Sequence, residues 1–208
     1  MTSKPAAPGV STAPAASQLP IFPLGNVLHP EGRMKLRIFE ARYMDMIGEC
    51  MRNDAAFGIC LIDQGREVGE AATPHAVGVE AHIIDWDMTQ PGVLHITVRG
   101  GRRFRIRSHQ ITQRQTVAAE VDWLMQETAS VAPKFVSMQS LLRLIAADKG
   151  RDVIAEPHAF DEANWLAFRF AEILPIPPLA RLKLLELDDA DMRLTIIHQY
   201  LMEHGLIK

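Results

Sequence analysis

The chain has 208 residues, of which 48% are hydrophobic and 23% charged, the make-up of an ordinary globule rather than a disordered or fibrous chain. Its formal net charge of -3 excludes a global positive field that would draw in nucleic acid. No apolar run approaches the roughly 20 residues needed to cross a bilayer, so no membrane partner is expected.

Residues 1–18 hold only Met, Lys, Val and Gln besides Ala, Pro, Ser, Thr and Gly, too little apolar surface to offset the entropy of ordering. They read as a flexible tail, and without an apolar h-region they are not a secretory signal, so the chain reads as cytoplasmic. Order is expected from Leu19. Leu19–Pro23, extended and interrupted by prolines, reads as an edge strand. Met34–Phe39 alternates Met34, Leu36 and Ile38 with Lys35 and Arg37, the period of a half-buried strand. Residues 40–53 place Tyr43, Met44, Ile47 and Met51 at helical spacing, with Glu40 suited to the positive end of the helix dipole. Ala56–Ile62 is a continuous apolar run and reads as a buried strand, followed by a charged, glycine-rich mobile loop at 63–74. The two cysteines, Cys50 on the helix and Cys60 on this strand, have no flanking CxxC and read as reduced, structural thiols.

Val77–Trp86 and Val93–Arg99 read as two arms of a hairpin whose turn carries Pro91-Gly92. Gly100-Gly101 is expected to break the sheet before a strand at Arg102–Ile111. That strand would point Phe104 and Ile106 one way and Arg103, Arg105 and Arg107 the other. Thr116–Leu124 is the last strand, and this many short strands around one early helix suggest a small barrel. After Ser130 the period changes. One helix ends near Gly150, a second is capped by Asp161, and Pro175, Pro177 and Pro178 separate it from a third at Leu179–Leu187. A fourth, Asp191–His204, carries Leu194, Ile197 and Leu201 inward and stops at Gly205. The class is α+β, with a β-rich half at 19–125 and a helical half at 126–208 forming one domain.

Leu19-Pro20-Ile21-Phe22-Pro23-Leu24, Pro30, Leu36-Arg37-Ile38-Phe39-Glu40 and Arg42-Tyr43 closely resemble the opening signature of the Lon protease amino-terminal domain family. Further elements follow in order: Phe57-Gly58, then Val77-Gly78 with Ala81 and Ile83, then Arg103-Phe104 within GGRRFRI. Leu174-Pro175 with Leu182–Leu187, where Lys183 is displaced, and Arg193-Leu194 complete the resemblance over about 19–204. Ala41 stands where the family usually has proline. The resemblance implies a PUA-like β-barrel followed by a helical bundle, and a module that binds substrate proteins. In that family an ATPase module and a serine-lysine peptidase follow. No GxxxxGK[ST] loop occurs in this chain, so a stand-alone, non-catalytic domain is expected.

The residues themselves offer little catalytic chemistry. None of the eight histidines forms HExxH or a zinc-spaced pair with cysteine; His82 and His95 facing across the hairpin would make two ligands without a third. Ser137 and Ser140 precede Lys149 by twelve and nine residues, roughly 14–18 Å along one helix and too far for a dyad. Glu40, Asp45 and Glu49 read as an acidic helix face. No catalytic residue, metal site or cofactor is therefore expected. The candidate partner-binding residues are Trp86 and Met88, adaptable apolar groups at a hairpin end, and Arg103, Arg105 and Arg107 of the basic stripe Arg99, Arg102, Arg103, Arg105 and Arg107. The bland alternatives are that Trp86 and Met88 cap the barrel and that Arg103 is paired internally. The leading expectation is a polypeptide partner held by apolar surface between barrel and bundle. The alternative is an RNA-binding module using the arginine strand, although no aromatic shares the arginine face for base stacking.

Overall fold

The structure, a computed structural model, describes residues 17–150 and 153–207. The expected tail therefore lies outside the described residues except for Ser17 and Gln18, which already belong to the first strand. The β-half runs β1 (Ser17–Leu24), β2 (Arg33–Ile38), α1 (Ala41–Asn53), β3 (Phe57–Gln64), β4 (Thr73–Gln90), β5 (Val93–Ile111) and β6 (Val117–Trp123). The helical half holds α2 (Val136–Lys149), α3 (Ala163–Ile173), α4 (Pro178–Glu186) and α5 (Ala190–Glu203). The α+β expectation is met. No helix among the described residues is long and apolar enough to cross a membrane.

The sheet order β2-β5-β4-β3-β1-β6 closes on itself because β6 pairs back onto β5. The 19-residue β5 makes this possible: its first half pairs with β2 and its second half with β6, while β4 follows it on the other side. β1 is not an edge strand as its prolines suggest. It pairs with β6 over residues 17–21 and runs parallel to β3 over 21–24. Pro20 and Pro23 each sit where β1 has a neighbour on one side only, so the missing N–H breaks no ladder.

Gly100-Gly101 does not interrupt the sheet either. Gly100 is buried in the middle of β5, where the turn leading into β2 crosses it. Its N–H donates to the Gly32 carbonyl and its carbonyl accepts from the Glu31 N–H, both at 2.9 Å. A methyl group at Gly100 would collide with the His29 carbonyl oxygen and lie 2.9 Å from the carbonyl carbon. Gly100→Ala is accordingly expected to destabilise the protein by about 1–3 kcal/mol in urea unfolding, the usual cost of overpacking. An unchanged midpoint would show that the turn at 29–32 moves aside freely.

The hairpin is longer than its sequence pattern, running to Gln90 and Val93 around Pro91-Gly92, with Gly92 at φ 80 as a type II turn requires. Its register pairs His82 with Arg99 and His95 with Asp87, so the two histidines do not face each other. At α3 the cap is Glu162, one residue after the expected Asp161. Its carboxylate accepts from the Asn164 and Trp165 N–H groups, while Asp161 accepts from Gln139 and Arg143. Asp189 caps α5 in the same way. Cys50 and Cys60 are free and buried, and burial pushes both thiols up.

One hydrophobic cluster spans the two halves, beside a second within the helical half and a third within the barrel. Phe168 of α3 and Leu182 and Leu185 of α4 join Ile38, Ile47, Phe57, Val79 and Val98 of the barrel. Three arginines, each at most 1% exposed, sit across this junction. Arg103 on β5 donates to the Leu185 and Leu187 carbonyls at 2.8 and 2.9 Å, where α4 ends. Arg169 on α3 donates to the Pro30 carbonyl at 2.6 Å. Arg193 on α5 donates to Leu184 at 2.8 Å and covers the Phe168 ring, 4.2 Å from its centroid. Each guanidinium thus satisfies carbonyls left orphaned at a helix end or turn, which a buried apolar side chain would not do.

Candidate functional site

Part of the opening signature, Phe22, Leu24, Leu36, Arg37, Ile38, Phe39, Glu40 and Tyr43, meets at one place. Ile38 ends β2 inside the core, and Phe39, the next residue, is 50% exposed. Glu40 then caps α1 through its backbone conformation, without a side-chain cap bond. Its carboxylate instead pairs with Arg42 at 3.1 Å and accepts from the Gly69 N–H at 3.3 Å. Arg42 stacks on Tyr43 and donates to the Gln115 carbonyl at 2.8 Å. Tyr43 packs on Phe22, ring centroids 4.3 Å apart. The Glu67 carboxylate accepts from the Gly25 N–H at 2.6 Å, so the loop at 65–72, within the 63–74 stretch read from sequence as mobile, is tethered at two points.

These contacts frame a groove of about 350 Å³ between the end of β1, the length of β2 and the tethered loop. Phe22, Leu24, Leu36, Phe39, Tyr43 and Val68 supply its apolar surface. Lys35, Arg37, Glu40 and Glu67 supply its charged lining. Its size is at the small end for ligand sites, and its mix of apolar walls with few polar groups is typical of one.

The cleft between barrel and bundle, where the sequence placed the apolar surface, has a different character. It measures about 510 Å³ and is lined by Leu124, Met125 and Ala129 but also by Glu127, Asp188, Asp189 and Asp191. The carboxylates gather there because the α4–α5 junction needs capping groups, as Asp189 shows. The groove on the barrel sets two cations beside its two carboxylates, whereas the charged groups of the cleft are all acidic.

Of the residues singled out from sequence, Trp86 and Met88 are 57% and 45% exposed on the hairpin, so neither folds back into the core. Trp86 borders a small recess with Cys50, Met51 and Asp54 at the far end of α1, away from the groove. Arg103 is not a surface group at all; it is consumed by the main-chain carbonyls of α4 and by Met125 and Asp188. The stripe it was to lead is broken in other ways. Arg107 pairs with Asp122, Arg99 with Glu31, and Arg102 with Glu80 while its guanidinium covers Trp123 at 3.8 Å. Arg105 remains exposed between them. The groove residues Phe22, Leu36, Phe39 and Val68 were missed as a site. The available signal was Phe39, a large apolar residue between a strand and a helix and so outside either period.

The family model of the ATP-dependent protease La (LON) substrate-binding domain matches residues 18–203. The chain belongs to this family. The Lon-type fold is also that of a crystal structure, "Lon N-terminal domain protein from Xanthomonas campestris". It is 33% identical, with a TM-score of 0.75 over 88% of this chain and 98% of the other. The N-terminal domain of the Mycobacterium avium complex Lon protease superposes with a TM-score of 0.66 over 90% of this chain and all of the other; at 16% identity it shows the fold alone. A search among curated proteins finds no match. The resemblance carried by residues 19–43 is thus borne out at the level of family and fold.

Proposed function

We propose that this Lon-type domain is a non-catalytic module that binds polypeptide, and that the groove beside β2 is where it does so. Family membership supports the class of partner. The observation that supports the place is the exposed Phe39 beside an apolar trough that several residues of the opening signature line, Phe22, Leu24, Leu36 and Tyr43 among them. A few large side chains that become desolvated in a pocket carry most of the binding energy at protein interfaces. Trp86 and Met88 offer a second apolar contact for a longer chain, and Arg105 a peripheral charge.

Phe39→Asp tests the reading. An unfolded model substrate should bind the wild-type domain and bind the variant at least about tenfold more weakly, the loss typical of an interface hot spot. The unfolding midpoint should hardly move, since the side chain is half out of the fold. Equal binding by both proteins would remove the groove from the proposal. Salt-sensitive RNA binding lost on Arg105→Glu and Arg107→Glu, with no polypeptide binding, would overturn the whole of it.

A further inference from the structure

The mode of binding is written in the backbone of β2. Among the described strands β2 pairs with β5 alone, so its other edge is open, and that edge borders the groove. The Gly100 N–H donates to the Gly32 carbonyl. By the two-residue period of an antiparallel ladder, the main-chain groups of Met34, Leu36 and Ile38 then point at β5, and those of Lys35 and Arg37 point outward. The same period sets the side chains. Leu36 and Ile38 pack toward the core, whereas Lys35 and Arg37 are exposed. β1, on the opposite bank, cannot serve as the template, because Pro23 has no N–H to offer.

We propose that the groove takes an extended polypeptide segment of another protein by strand addition to β2, reading a sequence in which apolar residues alternate with acidic ones. This rests on the groove being the polypeptide site. Strand addition supplies partners for the outward N–H and C=O groups of Lys35 and Arg37 and selects by alternate side chains. The segment's residues beside Leu36 would enter the apolar trough. Its intervening residues would stand next to Lys35 and Arg37, where opposite charge is favoured and like charge is not. That also argues against a second copy of this chain: two β2 strands edge to edge would bring Lys35 and Arg37 against each other. Charged edge residues of this kind are a general device against self-pairing.

The test uses the full chain and a fluorescent peptide of about eight residues, long enough to run along the six-residue β2, alternating valine and glutamate. Two further peptides carry N-methyl groups on alternate residues, one in each frame, and a fourth has lysine for glutamate. The parent should bind, with affinity falling in salt. N-methylation in the frame facing β2 should weaken binding at least about tenfold through lost main-chain hydrogen bonds, and the other frame should leave it unchanged. Lys35→Glu with Arg37→Glu should reverse the preference between the glutamate and lysine peptides. If both N-methyl peptides bind like the parent while Phe39→Asp still abolishes binding, the groove stands and strand addition falls. If no peptide and no unfolded chain binds, both readings fall together. A stable homodimer that the parent peptide dissociates would assign the edge to a second copy and overturn the proposal of an acidic partner.

Discussion

Arg103→Ala should be the most damaging single substitution on the barrel surface of the junction, costing about 3–5 kcal/mol in urea unfolding. The residue is 1% exposed and donates to three carbonyls, two of them where α4 ends. Truncation leaves the buried Leu185 carbonyl without this donor, while the Leu187 carbonyl keeps Arg193, and opens a void where the side chain ran. The ion pair with Asp188 adds little to this sum, because the carboxylate is 73% exposed and screened by solvent. Arg103→Met keeps most of the volume but not the donors, so it should recover only part of the loss. Arg105→Ala, two residues along the same strand, should stay within about 0.5 kcal/mol of wild type. If Arg103→Ala and Arg105→Ala unfold at the same urea concentration, the carbonyls at the end of α4 find other donors and the arginine does not join the halves.

The second large effect is set by acid. His29 is fully buried in the turn that crosses Gly100, 5.6 Å from the Phe168 ring, with Arg169 and Arg181 nearby. Glu172 is its nearest acidic neighbour, but its oxygen lies 4.0 Å from Nδ1, beyond hydrogen-bond reach. Burial, followed by the charges of Arg169 and Arg181, pushes the His29 pKa from 6.5 to about 3. The folded value lies below the unfolded one, so the unfolded chain takes up the proton first as pH falls. Stability from this group is complete above pH 6.5 and is lost progressively toward about pH 3, by a total on the order of 4–5 kcal/mol. His29→Leu has no proton to take up. Its unfolding free energy, measured in urea at several pH values, should gain on the wild type steadily between pH 6.5 and 3. Parallel curves for the two proteins would show that His29 is protonated without cost in the folded state.

Both effects lie at the junction of barrel and bundle, and neither could be anticipated from local pattern. Arg103 alternates with Phe104 as any half-buried strand residue does, and its period says only that it points away from Phe104. That its side of β5 is covered at this point by α4, some eighty residues later, depends on the packing of Phe168, Leu182 and Leu185 against the barrel. His29 lies between Leu28 and Pro30 with no periodic signal at all. Asp161 and Glu162 illustrate a smaller case. Either could cap α3, and the choice falls to Glu162 because the Gln139 and Arg143 side chains of α2 take Asp161.

Elements whose evidence is local were legible along the chain. Alternation in Met34–Phe39, the stripe Leu194, Ile197 and Leu201 and the prolines before α4 each report a backbone conformation set by near neighbours, and each appears where expected. The family was legible too, because its signature residues 19–43 are contiguous. What those residues do together was not. Phe22, Leu36, Phe39 and Tyr43 form a groove only because β1 and β2 pair away from each other, β1 with β3 and β6, and β2 with β5. Strand partners are chosen by closure of the barrel. Gly100 is an instance: a residue that breaks strands by propensity lies inside the longest strand because another segment must pass there. Periodicity and propensity act over a few residues, and they settled which segments are strands and helices. The open edge of β2, the burial of three arginines and the position of His29 come from contacts between segments tens of residues apart, which only the closed barrel and its docked helices bring together.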